Sequence, residues 1–465
     1  MLGKMSKITD LMARLDAFNS GEDAARVKKS NTHLSLAALE TKIQVMNLSS
    51  MDLLEWKVLV AESINSEGSR CSVTEGGKEK DQRTVSRPHD DDDNLEDKAL
   101  QLNMLGSTIK SHFPSFIMPV SLYKDNDGAF YHMLELVAGE LKDLFEDGLQ
   151  LGGRKFFMCC LGVKGDAPFL AKAGRFNRSF TRRPTRPSSK KPATGLCHQC
   201  MAGNEELGIP FEDFGRERPQ WLSTVGSVPA YSRAAPSPLL KIPFDGTDMS
   251  VFFRWDVFHN WHLGLGKTFI TSAVCCVLEL LNPLSLDAAF KVLTEDFGSY
   301  CQMNKQSPYH KKLTSQFFGV EASFQDWPDA GWSKGDFTRL ICQWFEDYCS
   351  RKVAEATSDA NSWLTALYHE GLFIRAPVAR GIALRGLKFL HGYAKLAKMA
   401  FDRGQKRFAL IPKGHYLHHQ VLDLLHQSER SRWCPNLLMY GCQLQEDYVG
   451  RPSRISRRVS PKTVN

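Results

Sequence analysis

Apolar residues recur at helical spacing near the amino terminus, at Ile8, Leu11, Met12 and Leu15 and again at Met51, Leu53, Leu54, Trp56, Leu59 and Val60. This spacing predicts amphipathic helices over residues 1–65 that pack on one another or on a partner. The pattern stops at residue 66. From there to residue 97 the chain is rich in Ser, Glu, Gly, Lys and Arg and ends in His89-Asp90-Asp91-Asp92-Asp93, which reads as a solvated linker because adjacent like charges repel and fix no metal geometry. Residues 100–112 return to helical spacing and stop at Pro114, residues 116–123 read as a strand, and residues 124–128 as a tight turn. A helix is expected over 131–149. The run Phe156-Phe-Met-Cys-Cys-Leu-Gly162-Val163 is apolar throughout, as in a strand covered on both faces, and it delivers Gly165-Asp166-Ala-Pro168 at its end. Asp166 then has two readings, a working carboxylate at the carboxyl end of a central strand or the N-cap of the next helix.

The second half is mostly helical in pattern. Val251-Phe-Phe-Arg-Trp255 is a short apolar run, and residues 269–281 read as a buried helix, since Thr271, Ser272 and Glu279 interrupt an otherwise apolar stretch too often for a bilayer span. Helical spacing recurs over 287–297, 337–353, 363–368, 386–401 and 416–425, with a short strand or helix entry over 407–411.

Composition narrows the class more than the function. A chain of 465 residues suggests two or three compact units, and 42% apolar and 24% charged residues are ordinary for a globular protein outside a membrane. Twelve cysteines are too dilute for a disulfide scaffold, and the first residues lack a secretory signal, so the thiols are read as reduced and the location as nuclear or cytoplasmic. The net charge of +7 permits nucleic-acid binding without requiring it. Its distribution is more telling. Arg178, Arg182, Arg183, Arg186, Lys190 and Lys191 fall in a stretch without acids, and Arg451, Arg454, Arg457 and Arg458 lie in a tail that also has none. Both are candidate phosphate contacts, which gain affinity through counterion release; the first reads equally well as an unstructured loop.

Three groups carry candidate chemistry. Cys197-His-Gln-Cys200 presents two thiols to one metal ion, but a structural zinc site takes four ligands and there is no second Cys-x-x-Cys. His198, His259, His262, Cys159 and Cys160 are candidate completing ligands, with inert thiols or a redox pair as the alternative. Asp256-x-x-His259-x-x-His262 opens the segment that continues into Gly264-Leu-Gly266-Lys267-Thr268. That GLGKT supplies the end of a phosphate-binding loop, yet Trp261 stands where such a loop has its first glycine, and no apolar strand ending in paired acids follows it. Finally, His415, His418 and His419 come close together on a helix that begins early, where they either bind a metal or simply pack and cap.

The order of these motifs resembles the catalytic core of cut-and-paste DNA transposases of the CACTA, hAT and related groups. Gly165-Asp166-x-Pro168, a basic stretch, Cys197-x-x-Cys200, Asp256-x-x-His259 before an apolar helix, and the later Pro412-Lys413-x-His415 carry the resemblance over residues 150–460. It implies an α/β, RNase H-like mixed sheet with a large all-helical insertion, preceded by a helical N-terminal region. The expected division is a helical region at 1–65, a linker at 66–97, the first part of the core at 98–270, the insertion at 271–405, the end of the core at 406–450 and a basic tail at 451–465. The implied activity is phosphodiester hydrolysis and strand transfer on DNA by two Mg²⁺ or Mn²⁺ ions held by three carboxylates. Asp166 matches one acid; Asp125 or Asp127 is the candidate for the first, and Glu446 or Asp447 for the third. Asp256, His259 and His262 are then a structural or zinc-assisting group beside Cys197 and Cys200. A homo-oligomer is a further expectation. Two other readings stand beside it: a non-catalytic module that binds DNA or protein, and an ATPase using Gly264, Gly266, Lys267 and Thr268.

Overall fold

The computed structural model describes residues 55–61, 74–75, 78–79, 115–116, 118, 127–151, 153–180, 195–231, 234–244, 252–281, 285–321, 325–352, 358–443 and 445. The protein is mixed α/β and mainly helical, with small sheets of few strands. It falls into two compact units that interleave along the chain, one comprising Met1–Asn177, Pro229–Arg254 and Leu444–Asn465, the other Arg178–Val228 and Trp255–Gln443.

In the first unit a four-stranded mixed sheet is built around one long strand. Strand β1 (Glu55–Ala61) pairs antiparallel with the later strand at residues 154–164. This corrects the helix expected from Trp56, Leu59 and Val60: over 55–61 the chain reads Glu-Trp-Lys-Val-Leu-Val-Ala, in which β-branched residues and long-range pairing override a short helical spacing. The presumed linker contains a two-residue hairpin, β2 (Thr74–Glu75) with β3 (Lys78–Glu79). Helix α1 (Gly128–Glu146) buries Phe130, Leu134, Val137, Ala138 and Leu141, a stripe at helical spacing. Strand β4 (Leu149–Leu151) turns back on β5 (Arg154–Lys164), the apolar run singled out in the sequence. Helix α2 (Ala167–Ala173) follows at once, and β6 (Phe253–Arg254) pairs with β5 in parallel, Val163 opposite Phe253 and Lys164 opposite Arg254. The strand expected over 116–123 and the helix over 100–112 lie almost wholly outside the described residues.

The second unit is a helical body. Residues Phe258–Leu265 wind as a wide π-type helix that meets α3 (Gly266–Leu281) across a kink at Gly264. Helix α4 (Leu286–Met303) starts on Ser285, whose hydroxyl accepts the amide of Ala288. The one-turn α5 (Ser315–Phe318) and α6 (Gly335–Lys352) complete an aromatic core in which Phe297 meets Trp344 at 5.5 Å and Phe317 meets Trp332 at 5.1 Å. Helix α7 (Ser358–His369), strand β7 (Phe373–Arg375), the long α8 (Ala376–Asp402), α9 (Pro412–Arg430) and strand β8 (Trp433–Pro435) follow. A Cβ at Gly386 of α8 would come within 2.9 Å of Val421 on α9, so the absence of a side chain lets these two helices close on each other. Phe258–Glu279 is long and apolar enough to cross a membrane, but 72% of its most apolar window is buried inside the protein, as in a core helix.

Two of the polar side chains buried in this unit are Arg407 and His262. Arg407, 2% exposed, meets Glu279 at 2.6 Å and the main-chain oxygens of Asp326 and Lys406 at 3.2 and 2.8 Å. His262 is 2% exposed, its Nε2 is 3.1 Å from the Tyr368 hydroxyl, and its carbonyl accepts from Thr338. Burial pushes its pKa down to about 4, opposed only in part by Asp336, so the folded protein holds it neutral. An unfolded chain takes up that proton near pH 6.5, so the contribution of His262 is complete above 6.5 and is lost as pH falls toward 4. Unfolding free energy at pH 4.5 relative to pH 7 is expected to fall by roughly 2–3 kcal/mol less in His262→Gln than in the parent, read by chemical denaturation. Equal pH slopes in the two proteins would exclude this assignment.

Candidate metal centre

The site is built from two pieces of the helical unit far apart in sequence. One is the loop from Gly195 to Asn204. Gly195 and Gly203, at φ +75° and +76°, take left-handed turns at its two ends, where a Cβ at Gly195 would come within 2.9 Å of the Ala202 carbonyl. Between them the amide of Leu196 donates to Ala202, and the amides of Gln199 and Ala202 each point at a thiol, 3.4 Å from the sulfurs of Cys197 and Cys200. The turn therefore offers two sulfurs whose charge is already supported by backbone donors. The second piece is α9, which carries His415 and His419 four residues apart and so on one face.

These four side chains meet. One ligand atom from each of Cys197, Cys200, His415 and His419 lies within 4.8 Å of every other, and all four residues are buried. The Nε2 of His419 is 3.5 Å from the Cys197 sulfur and 3.3 Å from that of Cys200, and the Nε2 of His415 is 3.4 Å from Cys200. With Zn–S near 2.3 Å and Zn–N near 2.0–2.1 Å, the sulfur–nitrogen edge of a tetrahedron is about 3.6 Å. The donor set and its spacing fit a tetrahedral ion such as zinc.

Electrostatics point the same way. Burial on its own raises both thiols, but the hydrogen bond from Cys200 and the imidazoles of His419 and His415 overturn this at Cys197 and hold it well below the usual thiol range. Cys200 is pushed well above that range by burial and by the neighbouring Cys197. Burial lowers His415 to about 4, which keeps the imidazole neutral with one ring nitrogen unprotonated, the form that binds a metal. Trp221, 0% exposed, walls the cluster, with its ring 4.7 Å from that of His415 and 4.1 Å from that of His419. The Tyr416 hydroxyl donates to the carbonyl of Leu196, and the Tyr416 ring stacks on Trp255 at 3.7 Å.

The remaining candidates separate from this centre. His418, one residue off the binding face, holds the carbonyl of Arg216 at 2.8 Å through Nε2. Asp256, His259 and His262 are not among the four grouped ligands, which corrects their placement beside Cys197 and Cys200. Asp256 instead caps the π-type helix: its Oδ1 accepts from the amides of Phe258 and Cys442 at 2.8 and 3.0 Å, and its Oδ2 pairs with Nδ1 of His259. A short Asp-x-x-His spacing at a helix start satisfies itself locally, which is why it contributes nothing to a site built from distant segments. The His198 ring packs against Trp255, tilted by 41° with centroids 4.0 Å apart. Cys159 and Cys160 sit on β5 of the other unit, where burial pushes them up to about 11 and about 12.

Arg178 changes role most. It stands in the basic stretch, yet it is 3% exposed and donates to the carbonyls of Cys197, His198 and Val228 at 3.0, 3.4 and 2.7 Å. It braces the thiol turn from behind and does not face a phosphate. Arg182, Arg183, Arg186, Lys190, Lys191, Arg451, Arg454, Arg457 and Arg458 lie outside the described residues.

The proposed acids are only partly visible. Asp166 is the N-cap of α2, its Oδ1 accepting the amide of Phe169 at 2.7 Å, while Asp127 pairs with Lys172 of the last turn of α2 at 2.6 Å. The two thus engage opposite ends of that helix. Asp125, Glu446 and Asp447 lie outside the described residues, and among the described residues no group of three carboxylates that could hold Mg²⁺ or Mn²⁺ is found. The GLGKT segment is not an open phosphate loop: Gly264, at φ −135° and ψ −115°, forms a kink between two helices, Gly264 and Gly266 lie where a Cβ would meet Lys413 at 2.6 Å and Trp261 at 2.8 Å, and Lys267 donates to the carbonyl of Trp332. Thr268 donates to the carbonyl of Gly264 across this kink.

Comparison of the chain with models of known families, with curated proteins and with solved structures finds no match.

Cobalt(II) added to metal-free protein is expected to give the intense visible bands of a tetrahedral thiolate site. Cys200→Ser and His415→Ala should abolish them, whereas Asp256→Asn and His259→Ala should leave them. Bands that vanish in the Asp256 or His259 variants, with the fold intact by circular dichroism, would overturn the ligand assignment.

Proposed function

We propose that the chain is a transposase-derived nucleic-acid-binding protein whose helical unit is held by one structural zinc ion on Cys197, Cys200, His415 and His419. One observation carries the reading: the Cys-x-x-Cys and the Pro-Lys-x-His segment, two of the motifs on which the resemblance to cut-and-paste transposases rests, meet in a single buried group of four ligands. Chance motifs 215 residues apart have no reason to be complementary in charge, burial and spacing. With all four positions taken by protein, the ion leaves no place for water or substrate, so its role is structural. It closes a long loop in the folded state and ties the helix after the Pro-Lys step to the thiol turn.

Purified full-length protein is expected to contain one zinc per chain by elemental analysis, to lose thermal stability on chelation, and to shift a DNA probe in a salt-dependent way. Protein prepared with zinc supplied that neither retains the ion nor responds to chelators defeats the metal half of the proposal. Absence of DNA binding at low salt defeats the other half.

A catalytic version of this reading is favoured by a second observation. Strand β5, paired in parallel with β6, runs on two residues past its end into Asp166. The carboxyl ends of parallel strands are where α/β enzymes commonly place working groups. This version predicts nicking of supercoiled DNA that requires Mg²⁺ or Mn²⁺ and is lost in Asp166→Asn. Nicking that survives this substitution removes Asp166 from the chemistry.

A further inference from the structure

Three segments of the first unit enclose a cleft of about 500 Å³, a size that suits a small molecule. One wall is the start of α1, one is the chain just past α2, and one is the loop that ends in the single helical turn Pro238–Lys241. The last carbonyls of α2 are taken by the other two walls. The Tyr131 hydroxyl donates to that of Lys172 at 2.9 Å, and the Ser237 hydroxyl to that of Ala173 at 2.6 Å. These bonds tie the three walls to one another, so the cleft is preformed.

Arg175 is the unusual residue in it. The amide of Phe176 bonds to the carbonyl of Ala171 and the amide of Arg175 to that of Lys172, the pairing that ends a helix on a left-handed residue. Glycine is the usual occupant of that position, yet here Arg175 holds φ +53°. A side chain kept at the cost of backbone strain points to a use for that side chain. The guanidinium lies over the Tyr131 ring at 3.9 Å, and one of its nitrogens reaches the Pro236 carbonyl at 3.4 Å. Among the described residues no carboxylate pairs with it. Glu135, the only acid among the described residues that line the cleft, is engaged by Lys241, and nearby Asp127 by Lys172. Arg175 therefore keeps its charge and most of its donors for a ligand, with His132 as a further basic group in the lining. Pro236, Pro238 and Leu240 contribute apolar surface.

We propose that this cleft binds a small organic anion, a carboxylate or phosphate monoester joined to a flat or apolar body, and that Arg175 holds the anionic group. The planar fork of an arginine matches two oxygens of either group, and stacking on Tyr131 fixes the fork before the ligand arrives. The tyrosine and proline faces give contact area to the body. The cleft shares no residue with the metal centre.

The test titrates the full chain with phenyl phosphate and with benzoate, followed by saturation-transfer NMR and calorimetry, with inorganic phosphate and acetate as probes of the anionic group alone. One of the aromatic anions is expected to bind more tightly than its small counterpart, and the tighter of the two names the anionic group. Arg175→Gly should weaken that binding roughly tenfold or more, the loss of a bidentate charged contact. Its thermal midpoint should hold or rise, because glycine relieves the left-handed position. Arg175→Lys, which keeps the charge without the fork, should bind with intermediate affinity. Binding of neither aromatic anion overturns the proposal. So does unchanged binding in Arg175→Gly, which places the anion elsewhere, and so does inorganic phosphate or acetate as tight as its aromatic counterpart, which removes the body from recognition. A lowered midpoint in Arg175→Gly, with Arg175→Lys binding as the parent does, would make Arg175 a brace between α1 and α2 and overturn its assignment as the ligand contact.

Discussion

Two thiols on a tight turn and two imidazoles on one face of α9 form the closure on which the helical unit depends. Each group is costly to bury alone: a thiolate, or an imidazole with an unfilled lone pair, loses its hydration and regains little from an apolar wall. Together they satisfy one another around a common point, and Trp221 and Tyr416 exclude water from it. The cluster joins positions separated by more than two hundred residues, so whatever holds it removes much conformational freedom from the chain between.

The supports of this centre explain the surrounding sequence. Arg178 is always charged and sits behind the thiol turn, where its donors satisfy carbonyls that the turn would otherwise leave buried and unpaired. Its charge also favours the thiolate form of the pair, which is the form that binds a metal. On the other side the π-type helix of Phe258–Leu265, with Asp256 just before it, sends its polar groups to local partners and to α9, through Asn260 and Gln420, whose side chains meet at 3.2 Å. The acid, the histidines and the glycines of that stretch thus serve helix initiation, close packing and one buried neutral imidazole.

Charge is segregated on a larger scale as well. The α8 helix separates an apolar side that faces the core from a solvent side rich in cations, where Arg380 pairs with Glu429 and Lys398 with Asp402. Such a face raises the local potential without contributing to the fold, since exposed cations add little to stability. The sequence pattern signalled this helix through its Leu and Ala spacing, but its charge asymmetry becomes apparent only when the exposed positions are known.

By itself the sequence determined the secondary elements that have strong local causes. The apolar run at 154–164, the helices with clear spacing, the Asp166 cap before a proline and the thiol turn are all legible, because propensity, periodicity and capping act over a few residues. Tertiary structure decided the rest. It made a strand of residues 55–61 by pairing them with a segment a hundred residues later, and turned a basic-loop arginine inward as a brace. It also chose His415 and His419 over His259 and His262 as partners for the thiols. The physical reason is common to all three: a ligand set, a strand pair and a buried charge are each completed by groups distant in sequence. Local spacing names the candidates but does not select which of them meet.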